Sequence, residues 1–368
     1  MSEAITKEAL AKFHEKCGAD VSCRVAMNAV TENGLMAVAK NVEVQRTTRH
    51  SFSVNLKAGA VTNQKSSGRC WMFAALNTFR SEAMKKLKLD TFELSQNYTL
   101  FYDKLEKANF FLESILETLD EPANGRLISW LLMAPVNDGG QWDMLCNLIR
   151  KYGVVPKYAM PETRTSSATW EMNSALTVKL REDACRLRAA YRDGADRKEL
   201  SAKKEEMLEE IYRILCICLG EPPQTFDLEL YDKDGKFVRE CKMTPQAFYK
   251  KYVGLNLDDY VSLINAPTAD KPYHRSYSVK FLGNVKEGRQ VRYLNLEIEA
   301  LKRAVIAQLQ DGSPVWFGCD VGQSSSGEGI MDSRLYDLEA LLGVSFSLNK
   351  GERLCCGESL MTHAMVFQ

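Results

Sequence analysis

The chain holds 368 residues, 45% of them hydrophobic and 26% charged, a globular composition that excludes disordered and fibrous classes. Lys plus Arg and Asp plus Glu balance at 48 each, so no net field draws the chain to phosphate backbones or anionic lipid, and nucleic acid is not an expected partner. The longest apolar run, residues 127–136 (LISWLLMAPV), is about half of the ~20 residues a bilayer-spanning helix needs, so no membrane association is expected.

The first residues alternate charges and lack the apolar core of a secretory signal. Eleven cysteines, an odd number, stand in this long chain, which points to reduced thiols in the cytoplasm rather than a disulfide framework. Residues 7–30 read as helix. Residues 36–57 read as extended, with the alternation of HSFSVNL (50–56) predicting a strand. From Cys70 to Leu89, Phe73, Leu76, Phe79, Ala83 and Leu87 recur at three- and four-residue steps and place an apolar face on a helix. Further helices are predicted over 95–119, over the largely apolar 125–134, and over 141–152, where Gly153 and Pro156 supply the stop. Asn137-Asp138-Gly139-Gly140 reads as the turn between the last two.

Residues 161–220 carry Lys, Arg and Glu at helical spacing and read as helical hairpins, with 203–210 a solvated face. Residues 226–243 are two alternating runs around Asp234-Gly235, a hairpin signal. Beyond them lie a strand at 275–282, a helix at 296–310, a buried strand at 314–321 and a terminal strand at 360–367. Helices come first and strands last, which makes the fold α+β. The expected organisation is an N-terminal arm with a first strand (1–60), a helical half (61–160), a helical and hairpin insertion (161–292) and a β-rich half (293–368).

The chemistry concentrates in 61–73, VTNQKSSGRCWMF. Cys70 stands where a Gly-containing turn becomes a helix, and a helix N-terminus favours the thiolate, the nucleophilic form. Cys146, Cys185, Cys216 and Cys218 fall inside amphipathic helices and Cys319 in an apolar strand, where a thiol acts as a small core hydrophobe. A thiol nucleophile needs a base, and imidazole is the usual one. Of the four histidines, His14, His50 and His274 fall in polar surroundings, whereas His363 lies in an apolar strand with small neighbours, where a buried ring requires a hydrogen-bond partner. A core role for His363 stays open. Gln64, six residues before Cys70, can fold back to donate its amide to a developing oxyanion.

Gln64, Ser67-Gly68, Cys70-Trp71 and Phe73 resemble the nucleophile segment of papain-like cysteine peptidases; NDGGQWDM (137–144) resembles their substrate-pairing glycine loop, and Thr362-His363-Ala364-Met365 their histidine strand. Secreted members have a cysteine at the place of Ser67 and its disulfide partner near Asn137; both are absent here. Cys70 and His363 are 293 residues apart, about twice the roughly 130–150 of secreted members. With NQKSSGRCW, CICLG, VWFGCDVG and GESLMTHAM, the chain resembles the intracellular bleomycin hydrolase and aminopeptidase C family from about residue 35 onward.

The resemblance implies a thiol aminopeptidase acting on peptides, built as a homohexamer in the cytoplasm. Cys70, His363 and Gln64 would be catalytic, with Gly139, Gly140 and Trp71 at the substrate. It also implies an Asn-Ser-Trp segment and a C-terminal arm beyond His363, so a fragment of a longer enzyme is expected. A catalytically silent peptide-binding scaffold and a thiol endopeptidase without the aminopeptidase clamp are the alternatives. No P-loop, dinucleotide fingerprint or HExxH stands in the sequence. Cys216, Cys218, Cys355 and Cys356 have no second ligand pair at zinc spacing, so neither metal nor cofactor is expected.

Overall fold

The computed structural model describes residues 4–57 and 59–368. They form two compact units, one of residues up to 53 together with 319–362, the other of 54–318 together with 363–368.

The first unit opens with α1 (Lys7–Ala19) and α2 (Val21–Asn33). Residues 7–30, expected as one helix, break at Asp20, whose carboxylate accepts the N–H groups of Ser22 and Cys23 and so caps α2. Gly34, at φ 84°, ends α2. Residues 36–57 do not form an extended run: α3 (Leu35–Ala39) and α4 (Val42–Thr47) occupy its first half, and residues 50–56 form no strand. Alternation alone does not make a strand without a neighbour to take its backbone hydrogen bonds, and Phe52 stays exposed.

The second unit is organised around α5 (Cys70–Leu87). One buried face was expected; instead Trp71 to Leu76 are all buried, as are Phe79, Ala83, Met84 and Leu87, so α5 runs through the core with neighbours on every side. α6 (Gln96–Leu116) starts at Ser95, whose Oγ accepts the Tyr98 N–H. α7 (Arg126–Met133) buries only Ile128 and Leu131, its other apolar residues facing outward in part. α8 (Trp142–Tyr152) stops at Gly153, where a Cβ would lie 2.3 Å from the Pro245 backbone.

After the short α9 (Arg164–Ser167), α10 (Trp170–Arg192) and α11 (Arg197–Leu219) form the expected hairpin and pack on α6. Asp196 and Glu199 close a reciprocal capping box at the start of α11. β1 (Phe226–Tyr231) and β2 (Phe237–Met243) pair antiparallel around Gly235, at φ 76°. α12 (Pro245–Phe248) follows. β3 (Ser262–Ile264), β4 (Ser276–Tyr277) and β5 (Tyr293–Asn295) form a sheet ordered β3-β5-β4. The strand expected at 275–282 is cut to two residues because a turn from Val279 to Leu282, with Phe281 at φ 59°, leaves the extended region. α13 (Ile298–Gln310) leads into β6 (Val315–Cys319), which is half-buried rather than buried.

α14 (Leu338–Leu342) and α15 (Lys350–Cys356) belong to the first unit, whose small core joins Val44, Ile330 and Leu335. β7 (His363–Phe367) belongs to the second, pairs with β6 and packs against α5. Phe317 and Phe367 stack there at 3.7 Å between ring centroids.

Candidate active site

The turn before Cys70 is held by its own side chains. Gln64 Nε2 donates to Ser67 O at 2.5 Å and Ser67 Oγ donates back to Gln64 O at 2.6 Å. Lys65 between them sits at φ 54°, its N–H taken by Asn63 Oδ1 at 2.8 Å. Arg69 is completely buried; its two terminal nitrogens reach Glu162 at 3.0 and 2.7 Å, its Nε reaches Ser67 Oγ at 2.9 Å, and its guanidinium lies over the Phe73 ring. A bidentate fork of this kind fixes direction as well as charge. Cys70 therefore enters α5 half-buried, from a clamped turn, beside the first-turn N–H groups that a helix leaves without intrahelical acceptors.

Asp138 joins this turn to the glycine loop. Its Oδ2 accepts the Gly68 N–H at 2.9 Å and the Thr169 hydroxyl at 2.5 Å, its Oδ1 accepts Lys104 Nζ at 2.6 Å and Asn173 Nδ2 at 2.7 Å, and its carbonyl accepts Trp71 Nε1 at 2.6 Å. Burial by itself would raise the Asp138 carboxyl, but Lys104, Thr169 and Asn173 outweigh it and hold the group far below the usual carboxylate range.

Lys104, fully buried, also donates to the carbonyls of Val136 and Asn137; Lys107 donates to Asn137 O at 2.9 Å and Gly139 O at 2.7 Å. Two lysines of α6 thus bind the carbonyls of one loop. Gly140 has no room for a side chain, since a Cβ would lie 2.6 Å from the Trp71 ring. Gly139 is exposed with its carbonyl already taken, which leaves its N–H as the group free to meet a ligand. A groove lined by Met133, Asn137, Trp170, Asn173, Val178 and Arg181 opens beside the loop.

His363 is the first residue of β7, the strand that packs on α5, and is half-buried rather than buried. A ring at a strand end keeps access to water, so the expected hydrogen-bond partner is not obligatory, and among the described residues none bonds the imidazole. Trp316 of β6 donates Nε1 to Trp71 O at 3.0 Å and ties the β6-β7 pair to the first turn of α5. His14 and His50 are exposed, and exposed His274 lies 3.0 Å from Glu297. Of the other cysteines, Cys146 is buried and Cys216, Cys218 and Cys319 partly so, whereas Cys185 faces solvent from α10 instead of packing inside.

The residues around Cys70 and His363 that sequence reasoning missed are Arg69, Lys104, Lys107, Asp138 and Glu162. Lys104 left a trace: it falls in the stripe of Phe101, Ala108, Phe111 and Ile115 on α6, where a charge demands a buried partner.

Comparison with protein families matches residues 4–368 to the Peptidase C1-like family. The chain belongs to this family. Aminopeptidase C of Listeria innocua serovar 6a is 48% identical over 367 residues, and human bleomycin hydrolase is 44% identical over 375; each alignment spans 100% of this chain and 82% of the relative. The crystal structure of PepW from Lactobacillus rhamnosis HN001 superposes with a TM-score of 0.98 at 51% identity, again over 100% of this chain and 82% of that one. The α+β, papain-like architecture expected from the sequence, with its large insertion, is that of this Peptidase C1-like chain.

Proposed function

We propose that the chain is a cysteine aminopeptidase in which Cys70 is the nucleophile and His363 the general base and acid. The observation that carries this reading is the meeting of two elements: α5 begins at Cys70, and the strand packed on it, β7, begins at His363. The curated relatives named aminopeptidase C and bleomycin hydrolase support the activity.

In the reaction, the Cys70 thiolate attacks the carbonyl carbon of a peptide bond. The oxyanion is met by the Cys70 backbone N–H and by a Gln64 amide hydrogen, the other hydrogen of that amide being held by Ser67 O. His363 hands its proton to the departing amine, leaving a thioester. It then takes a proton from water, whose oxygen attacks the thioester and releases the acyl product. Gly139 and Gly140 line the substrate side, with the Gly139 N–H facing an extended peptide, whereas Trp71, expected at the substrate, is buried and packs behind Gly140.

The same reading places the enzyme in the cytoplasm as a homohexamer. All eleven cysteines are free, which suits a reducing compartment. α1 and α2 bury no residue and expose Phe13, Val25 and Met27, the kind of surface that subunits cover.

The test is the intact mass after reaction with an epoxysuccinyl peptide, for the chain as it stands and for Cys70→Ser and His363→Ala. One probe per chain, lost in both variants, supports the pair. Labelling no faster than a free thiol and indifferent to His363→Ala refutes it and leaves the silent scaffold. Cleavage of N-acetylated peptides as fast as free ones makes the enzyme an endopeptidase.

A further inference from the structure

The corner between α1 and α2 is turned by one residue. The Asp20 N–H returns to Cys17 O at 3.3 Å, closing α1, while Asp20 Oδ1 accepts the N–H groups of Ser22 at 2.8 Å and Cys23 at 3.2 Å, opening α2. The last turn of the first helix is thereby set against the first turn of the second. Cys17 and Cys23, six positions apart, bring their sulfurs to 2.8 Å. Cys17 is exposed and Cys23 partly so. Neither takes part in the site around Cys70.

We propose that Cys17 and Cys23 are a redox dithiol that closes to an intramolecular disulfide at the expense of a small-molecule disulfide, with glutathione disulfide as the reagent of that class. The exposed Cys17 thiolate attacks one sulfur of glutathione disulfide, forming a mixed disulfide and expelling one glutathione thiolate. Cys23, after giving its proton to solvent, attacks the Cys17 sulfur and expels the second glutathione thiolate. Two protein thiols are oxidised and one glutathione disulfide is reduced to two glutathiones.

The geometry favours the second step. A disulfide is about 2.05 Å long, so the sulfurs approach by less than an ångström, and the Asp20 corner supplies the required proximity before any reagent arrives. The hydrogen bond to Cys17 raises the Cys23 thiol above its ordinary value, which leaves Cys17 the attacking sulfur and Cys23 the resolving one. Exposed Cys185 on α10 and Cys241 on β2 are internal comparisons, since among the described residues no second thiol bonds to either.

The experiment is peptide mapping of the full chain after incubation with glutathione disulfide, alkylation and trypsin. Cleavage after Lys16 and Arg24 leaves both cysteines on one peptide, residues 17–24. The expected result is that this peptide loses two hydrogens, carries neither alkyl nor glutathionyl group, and reverts with dithiothreitol. Cys17→Ser and Cys23→Ser should each keep a glutathionyl group on the remaining thiol. Recovery of the wild-type peptide alkylated at both cysteines, or still glutathionylated, overturns the proposal.

Discussion

The Asp138 carboxylate and the Gly68 backbone N–H meet at 2.9 Å, although 70 positions separate them in the chain. Through this bond the loop that carries Gly139 and Gly140 holds the turn that delivers Cys70, and the same carboxylate neutralises the fully buried Lys104.

Asp138→Asn keeps the shape and removes the charge, leaving Lys104 buried without its counter-ion. Breaking a buried pair on one side costs about 3–5 kcal/mol, read as a lower urea midpoint. The carboxyl lies below its unfolded value in the fold. Its contribution is therefore complete above about pH 4, the ordinary Asp value, and is lost as the pH falls toward the folded value. The gap between wild type and Asp138→Asn should accordingly shrink on acidification; a gap constant from neutral pH to about pH 2 would refute the linkage.

Gly140→Ala drives a Cβ into the Trp71 ring and should cost about 1–3 kcal/mol as an overpacked site. It should also slow Cys70 labelling, because the indole is bonded to Asp138 O. Gly139→Ala is the paired comparison: the nearest atom to its Cβ is Asn137 Oδ1 at 3.7 Å, so stability should hold. Equal losses of urea midpoint in the two variants would contradict the packing argument.

Gln64→Ala should lower kcat about 10²- to 10³-fold if its amide meets the oxyanion, with little change in KM, as expected for an interaction made in the transition state. Its bond to Ser67 O also shapes the turn. Circular dichroism and the urea midpoint therefore accompany the kinetics; an unchanged kcat in a folded variant removes Gln64 from the mechanism.

Burial pushes the Cys146 thiol up to about 12. A raised folded value means that its contribution is complete below the unfolded value of about 8.5 and lost as the pH rises from there toward the folded one. Cys146→Ala should therefore lose less, relative to wild type, near pH 11 than near pH 8, roughly the window those two values set. Urea midpoints across that range check it, and a pH-independent difference would argue that the thiol titrates alike in both states.

The helices at Cys70, Gln96, Trp142, Trp170 and Arg197 were legible because apolar spacing and caps are written within a few neighbouring residues. The strand expected at 50–56 and most of that at 275–282 were not, since a strand depends on a partner elsewhere in the chain. Asp138 read only as a turn former, and nothing near it announces Lys104, Thr169 or Asn173.

By itself the sequence determined the α+β class, the turn-to-helix position of Cys70, the glycine loop and the terminal strand that carries His363, because each is a local pattern of backbone freedom and apolar spacing. Tertiary structure alone decided that Arg69 would be clamped by Glu162, 93 positions away, and that one carboxylate would hold Gly68, Lys104, Thr169 and Asn173 together. Buried charges choose partners by proximity in space, where desolvation makes pairing obligatory, and that proximity exists only once the helices have packed.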